Sequence, residues 1–154
     1  MTSKESAARR EDELQLRDLS FRYARMMDRK QFDWLPDVFA KDGGIIGPGY
    51  EMLGHAALRK GLRGLDRFSA TLHGVLNTYF EIDGDTATGE VYCVANHVYE
   101  KDGVPFKLDM GIRYEDTYVR QANGWVMDRR LFNMVWETDT PMRVDADGRP
   151  KKAD

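Results

Sequence analysis

From Ser69 onward, apolar and polar residues alternate with a period of two, and three turn dipeptides divide this part of the chain into four runs. Asp-Gly and Asn-Gly between β-rich runs are the strongest short-range signals of a β-hairpin. The pattern therefore predicts a four-stranded antiparallel meander. The runs span 69–82, 86–100, 106–120 and 125–137, and the dipeptides between them are Asp83-Gly84, Asp102-Gly103 and Asn123-Gly124.

The predicted strands are much longer than the usual strand of roughly 5–6 residues. Strands of this length must twist and bend, and Gly74 and Gly111 inside them mark the expected bends or bulges. A curved sheet has a concave side, which helices cover only in part. We therefore expect a pocket between the sheet and the first helix.

The first half of the chain predicts helices. Glu11 to Asp28 carries a broad apolar stripe, and a second, shorter helix is expected from about Phe32 to Phe39. A third helix is expected from His55 to about Leu65, with short strands on either side of the turn at 47–49. Helices followed by an antiparallel meander define an α+β order. The stripe of the first helix consists of Leu14, Leu19, Phe21, Tyr23, Met26 and Met27.

The composition is that of an ordinary globular chain. At 154 residues, 42% hydrophobic and 32% charged, it is expected to form one domain around one core. A net charge of −3 provides no basic surface for nucleic acid. The apolar runs are too short to span a membrane, and the N-terminus lacks the apolar core of a signal peptide. A single cysteine, Cys93, excludes an internal disulfide and fits a reducing compartment, so a cytoplasmic location is expected.

The polar ends of the chain suggest three segments. Residues 1–10 are expected to be a flexible N-terminal lead-in, and residues 11–140 are expected to form the single domain. Residues 141–154 are expected to be a mobile C-terminal tail.

Two of the three histidines lie in adjacent predicted strands, His73 in the first run and His97 in the second. A lone histidine on a strand is most simply a surface or hydrogen-bonded structural residue, but a hairpin brings these two together. Asp28 closes the first predicted helix. Imidazole and carboxylate together suit proton abstraction at neutral pH, because histidine titrates near that pH and a carboxylate can orient it.

Asp28 has two interpretations. The segment Asp28-Arg29-Lys30-Gln31 matches a capping box for the second helix. Alternatively, a carboxylate at the end of the first helix faces the negative end of the helix dipole, and a histidinium would compensate for this. The local sequence leaves both interpretations open.

Tyr23 and two arginines complete the candidates. Tyr23 lies on the apolar stripe and is either a core residue or a site residue. Arg129 and Arg130 are consecutive in a strand, so one of them faces the concave side, and alternation alone leaves open which one. No metal site is expected, because no histidine is followed two residues later by an acid. The turn at 47–49 lacks the Lys-Ser/Thr ending of a phosphate loop.

Four short motifs are spread over residues 12–137. They are Tyr23-x-x-x-x-Asp28-Arg29, Leu72-His73, Ile82-Asp83-Gly84-Asp85-Thr86-Ala87 and Gly124-Trp125. Together with the order of helices and strands, they resemble the SnoaL-like branch of the nuclear transport factor 2-like (cystatin-like) superfamily. The resemblance implies N-terminal helices packed on a strongly curved antiparallel sheet, that is, a cone-shaped α+β barrel.

The resemblance extends to three types of elimination enzyme. Scytalone dehydratase uses an aspartate and two histidines, which fall on Asp28, His73 and His97. The hexachlorocyclohexane dehydrochlorinase type uses an Asp–His dyad that falls on Asp28 and His73, with an arginine that falls on Arg130. The bile acid 7α-dehydratase type adds a tyrosine that falls on Tyr23.

This resemblance implies a lyase of dehydratase type that acts on a small cyclic or polycyclic molecule in an apolar pocket. His73, oriented by Asp28, would be the general base, and His97 or Tyr23 would protonate or hold the departing hydroxyl. Arg130 would stabilise negative charge on a carbonyl oxygen. No cofactor is expected. The resemblance implies a homotrimer or a homodimer.

Three alternative functions remain open at the level of sequence, because a fold does not fix a function. The first is an isomerase of the ketosteroid isomerase kind, using the same pocket. The second is a non-catalytic domain of the same fold that binds a small hydrophobic ligand or serves assembly. The third is the small subunit of a ring-hydroxylating dioxygenase.

Overall fold

A long N-terminal helix packed on a curved six-stranded sheet dominates the structure, a computed structural model in which residues 3–143 are described. The fold class and the four long strands predicted from the period-two pattern are confirmed. The elements are, in order, α1 (Ser3–Arg29), a first 3-10 helix (Phe32–Trp34), α2 (Leu35–Val38), β1 (Phe39–Gly47), β2 (Tyr50–Leu53), α3 (Gly54–Leu62), a second 3-10 helix (Arg63–Arg67), β3 (Ala70–Asp83), β4 (Thr86–Lys101), β5 (Val104–Gln121) and β6 (Gly124–Pro141).

The strands are arranged in the order β2-β1-β6-β5-β4-β3. β3 to β6 form the predicted antiparallel meander, whereas β1 pairs with β6 in parallel and with β2 in antiparallel orientation. The parallel pairing of β1 is an addition to the predicted meander. Because β2 and β3 are the two edges of the sheet, the cone is curved but not closed.

The long strands bend where their pairing register shifts. One shift in the β5–β6 pair lies between Gly111 and Ile112, as the glycine predicted. A Cβ on Gly111 would lie 2.2 Å from the indole nitrogen of Trp136, so only glycine lets that ring cover the strand. In the β3–β4 pair, the shift begins at Val75, one residue after Gly74.

α1 packs its apolar side on the concave face of the sheet. The helix starts at Ser3, so residues 3–10, expected to be a flexible lead-in, are helical here. Leu14 and Phe21 of the predicted stripe are about half exposed, at 46% and 45%, because the buried side runs through Leu16 instead. The buried apolar residues of the helix are Leu16, Leu19, Tyr23, Ala24, Met26 and Met27.

The other helices are shorter than the sequence predicts. The expected helix at 32–39 divides into the first 3-10 helix and the four residues of α2, and Phe39 already begins β1. The expected third helix divides into α3 and the second 3-10 helix. Most of the predicted C-terminal tail, residues 144–154, lies outside the described residues. Within residues 3–143, no helix has the length and apolar character needed to cross a membrane.

Asp12 joins α1 to the far end of the meander. Its two carboxylate oxygens accept hydrogen bonds from Arg120 at 2.7 and 2.8 Å, and Trp125 donates its indole N–H at 3.0 Å. The hydrogen bond from Arg120 lowers the pKa of Asp12, against the opposing effect of burial. The guanidinium of Arg120 also lies 4.3 Å from the centre of the Trp125 ring. The helix is therefore held at this end by one carboxylate.

We expect Asp12→Ala to lower the free energy of unfolding in urea by about 1–2 kcal/mol, because it removes charge-assisted hydrogen bonds. The matched control is Asp85→Ala, which removes an exposed carboxylate bonded to the same arginine at 2.9 Å and should cost less than about 0.5 kcal/mol. Since the lowered pKa belongs to the folded state, the contribution of Asp12 is present at neutral pH and is lost in acid. Equal losses in the two variants would contradict this assignment.

Candidate active site

The last turn of α1 is joined to β3 by the carboxylate of Asp28. One oxygen lies 2.7 Å from Nδ1 of His73 and accepts a hydrogen bond from the hydroxyl of Thr71 at 3.0 Å. The other oxygen accepts the backbone N–H of His73 at 2.9 Å. Three donors therefore hold the carboxylate. The role of Thr71 was not predicted, and the one signal for it is that Thr71 lies on the same face of the strand as His73.

The end of α1 determines where Asp28 points. Lys30 adopts a positive φ of 52°, and the backbone N–H groups of Lys30 and Gln31 bond back to Met27 and Met26, in the pattern of a Schellman cap. Gln31, at the N-cap of the following 3-10 helix, has no side-chain cap hydrogen bond. Of the two interpretations of Asp28, the structure therefore has the histidine partner and not the capping box.

The electrostatics of the dyad define the roles of its atoms. Burial alone raises the pKa of Asp28, but the hydrogen bonds from the His73 ring, the His73 backbone and Thr71 outweigh it, and the pKa is lowered. An ionised carboxylate can only accept, so Nδ1 of His73 carries the proton between them. The Nε2 atom lies on the opposite side of the ring, and the side chain of His73 lines the main cavity and is 4% exposed.

His97 stands beside His73 on the next strand. The ring centroids are 5.5 Å apart with the planes nearly perpendicular, and His97 is only 2% exposed. Burial, reinforced by the neighbouring His73, lowers the pKa of His97 to about 4. Its Nδ1 atom is buried and has no hydrogen-bond partner among the described residues. At neutral pH, His97 is therefore a neutral imidazole with one nitrogen unused.

Both histidines face a cavity of about 600 Å³ between α1, the second 3-10 helix and the concave side of the sheet. Its lining is mostly apolar, which suits a drug-sized organic molecule. Four of the eight methionines of the chain contribute to it, and their unbranched side chains adapt to irregular shapes. The principal apolar residues are Met27, Ile45, Met52, Leu62, Leu65, Phe68, Leu108, Met110, Ile112, Phe132 and Met134.

Tyr23 forms part of the cavity wall next to the dyad. Its ring meets that of His73 edge-on at 6.5 Å and that of Tyr114 at 5.9 Å. Burial raises the pKa of Tyr23 to about 12, although the charge of Arg130 works in the opposite direction. The sequence left open whether Tyr23 is a core residue or a site residue. It is both, because it is buried in the core and lines the cavity.

Arg130 is the arginine that points to the concave side, but it lies behind Tyr23 and Tyr114. Its guanidinium stacks 4.1 and 4.0 Å from the centres of these two rings. Nε and one terminal nitrogen donate to the two carboxylate oxygens of Asp116 at 2.9 and 2.6 Å. Tyr118 donates its hydroxyl to the same carboxylate at 2.7 Å. The sequence missed Asp116, although the period of two puts it on the inner face.

Arg129 points the other way. One of its guanidinium nitrogens bonds to the carbonyl of Asp42 and to Asp128, outside the cavity. Tyr23, His73 and His97 thus line the cavity, while Asp28 is bonded to His73 without lining it and Arg130 lies behind Tyr23. Within residues 3–143, no group of three or more His, Cys, Asp or Glu side chains is arranged to hold a metal ion.

The curved sheet and the covering N-terminal helix give this chain the α+β fold of nuclear transport factor 2-like proteins, with a buried Asp–His dyad at the end of the helix. A family model described as a SnoaL-like domain matches residues 8–131. The chain belongs to the SnoaL-like family. Among curated relatives, the uncharacterized proteins Rv2910c of Mycobacterium tuberculosis and Mb2934c of Mycobacterium bovis are each 31% identical over 132 residues, which covers 82% of this chain and 87% of each relative.

Solved structures show the same fold. The Kfla4162 protein of Kribbella flavida has a TM-score of 0.77 at 24% identity. The match covers 84% of this chain and 94% of the Kribbella chain. A protein of Novosphingobium aromaticivorans provisionally described as a scytalone dehydratase has a TM-score of 0.76 at 22% identity, covering 100% and 99%. A type 3 hexachlorocyclohexane dehydrochlorinase of Novosphingobium barchaimii has a TM-score of 0.75 at 15% identity, covering 89% and 94%.

We expect Asp116→Asn to lower the free energy of unfolding by about 3–5 kcal/mol, because it leaves the guanidinium of Arg130, 1% exposed, without a counter-charge. The control Glu115→Gln changes the adjacent, exposed carboxylate and should cost less than about 0.5 kcal/mol. If Asp116→Asn does not fold, the double variant Asp116→Leu/Arg130→Met should fold, because it removes both charges. A loss below 1 kcal/mol on urea unfolding would contradict the assignment.

The lowered pKa of His97 predicts a specific pH dependence. In the unfolded chain, His97 gains a proton as the pH falls below about 6.5, whereas in the folded protein it resists protonation down to about 4. The wild type should therefore lose stability over this range relative to His97→Gln. In NMR titrations, the His97 ring should keep its neutral chemical shifts from pH 7 to pH 5. Protonation of His97 near pH 6.5 would contradict this expectation.

Proposed function

We propose that this protein is a lyase that eliminates water, or a similar small leaving group, from a cyclic or polycyclic molecule bound in the main cavity. The observation that carries the proposal is the dyad: Nδ1 of His73 is held by an ionised carboxylate, and the His73 side chain lines an apolar cavity, which leaves Nε2 for a ligand. A domain that only binds a ligand has no need of this arrangement. It is what a general base requires.

In the proposed reaction, Nε2 of His73 removes a proton from a carbon next to an activating carbonyl group. Asp28 holds the tautomer in which Nε2 carries the lone pair, and it stabilises the positive charge that the ring acquires. Thr71 and the backbone of His73 keep the carboxylate oriented. The apolar cavity strengthens these interactions because little water screens them.

His97 is proposed to hold the leaving hydroxyl. Burial lowers the pKa of His97 although a backbone hydrogen bond at Leu108 opposes this, so the ring is neutral and its unpartnered Nδ1 is proposed to accept a hydrogen bond from a substrate O–H. The separation of 5.5 Å between the two rings suits a proton and a hydroxyl on adjacent carbons. As the C–O bond breaks, the proton on Nε2 of His73 passes to the departing oxygen, which leaves as water.

Tyr23 is proposed to donate a hydrogen bond to the carbonyl oxygen of the substrate as negative charge develops there. With a pKa of about 12, its hydroxyl keeps its proton at neutral pH. Arg130 lies behind the Tyr23 ring and is occupied by Asp116, so it acts through Tyr23 as a positioning residue and does not touch the substrate. This differs from the direct role that the family resemblance implies for Arg130.

One observation favours an isomerase as the second candidate. His97 is neutral at neutral pH, so the cavity has no separate imidazolium to protonate a leaving group. An isomerase needs one base, which returns the same proton to a different carbon. Product analysis separates the two candidates, because elimination releases water and an isomerase leaves the molecular mass unchanged.

The test is kinetic and starts from a substrate found among cyclic β-hydroxy ketones. We expect His73→Ala to lower kcat by about 10²–10⁴-fold, because the general base is lost. Asp28→Asn should also lower kcat, since an amide no longer selects the His73 tautomer that carries its proton on Nδ1. His55→Ala is the matched control, because His55 bonds to the carbonyl of Phe39 outside the cavity, and it should retain activity. Full activity in His73→Ala would overturn the proposal.

A further inference from the structure

Two side chains of opposite charge, Arg67 and Glu137, line the main cavity besides the histidines. Within residues 3–143, Arg67 forms no ion pair, whereas Arg63 in the same 3-10 helix contacts Asp66 at 3.5 Å. The positive charge at the mouth of the cavity is therefore available to a ligand.

The backbone next to Arg67 is held by hydrogen bonds, and the Arg67 guanidinium contacts a neighbouring ring. Its guanidinium lies 4.6 Å from the centre of the Phe68 ring, a cation–π arrangement. The carbonyl oxygen of Phe68 accepts a hydrogen bond from Lys30 at 2.7 Å, and the next residue, Ser69, donates its N–H to Val98 at 2.8 Å. Binding a ligand group at Arg67 therefore requires little additional ordering of the chain.

The charge of Arg67 acts on the same wall of the cavity as His97. The ring of Phe68 lies between them, with its centroid 4.7 Å from that of His97. Arg67 is one of the groups that disfavour protonation of His97, after burial and His73. A negative ligand group placed here would be attracted to a guanidinium that has no ion-pair partner within residues 3–143.

Glu137 adds direction to this field. Glu137 is the register partner of Met110 in the β5–β6 pair, and it lines the cavity without forming an ion pair with Arg67. A ligand anion is attracted to Arg67 and repelled by Glu137. The two charges together favour a single orientation of an acidic ligand.

We propose that Arg67 binds an anionic oxygen group of the ligand, so that the protein binds acids with an apolar cyclic body more tightly than their neutral analogues. The inference deepens the proposed function, on which it rests only for the choice of cavity. It adds a substrate class, namely carboxylates and related oxyanions, and a specificity-determining residue outside the dyad.

The experiment compares two probes of the same shape, 4-biphenylcarboxylate and 4-biphenylcarboxamide, by isothermal titration calorimetry at neutral pH. The wild type should bind the carboxylate about 10-fold more tightly than the amide, because a charge-assisted hydrogen bond is stronger than a neutral one. Arg67→Gln should abolish this preference with little change in melting temperature, since the side chain is exposed and loses only its contact with the Phe68 ring. The preference should also shrink as salt is added.

Two control variants make the outcome specific. Glu137→Gln removes the carboxylate that repels a ligand anion, so it should keep or increase the preference for the carboxylate probe. His73→Ala should keep the preference even if it abolishes turnover, so failure of the catalytic proposal and failure of this one are distinguishable. Equal affinity of the two probes for the wild type, no binding of the carboxylate, or an unchanged preference in Arg67→Gln would each overturn the inference.

Discussion

One carboxylate holds the end of the first helix, the edge of the sheet and the histidine in a single arrangement. Asp28 sits where the helix dipole is unfavourable to a negative charge, and the donors from Thr71 and His73 compensate for it. The contact therefore serves packing and chemistry together. If the helix moved along the strand by one turn, the cavity would lose both its wall and its oriented imidazole.

The fold could be predicted where the signal is local. The Asp-Gly and Asn-Gly turns and the period of two determine the hairpins of the meander, because turn type and alternation act over a few residues. The pairing of β1 with β6 could not be predicted, since it joins distant segments and β1 contains Lys41-Asp42-Gly43-Gly44, which reads as a turn. The structure explains these glycines: a Cβ on Gly43 would lie 2.8 Å from a backbone oxygen of Met127, and one on Gly44 would meet Met52.

The site divides in the same way. Alternation put His73 and His97 on one face, and the residue types indicated a dyad with Asp28, but the local sequence of Asp28 fitted a helix cap equally well. The positive φ of Lys30 ends the helix so that Asp28 contacts His73 and does not cap the next helix. A positive φ could not be predicted for a lysine from its residue type. Arg130 was identified as an inward residue only as one of a pair. Its partner Asp116 and the rings that cover it depend on three-dimensional packing, which a pattern along the chain does not contain.

Four methionines contribute to the lining of the cavity, and this has a consequence for how the family can diverge. Thioether side chains rotate at little cost, so ligands of different outline can be accommodated without displacing the backbone that carries the dyad. Peroxide oxidises the methionine sulfur atoms to sulfoxides, and this would make the apolar cavity polar. The methionines that would let the cavity accept ligands of different shape would therefore also make it sensitive to oxidants.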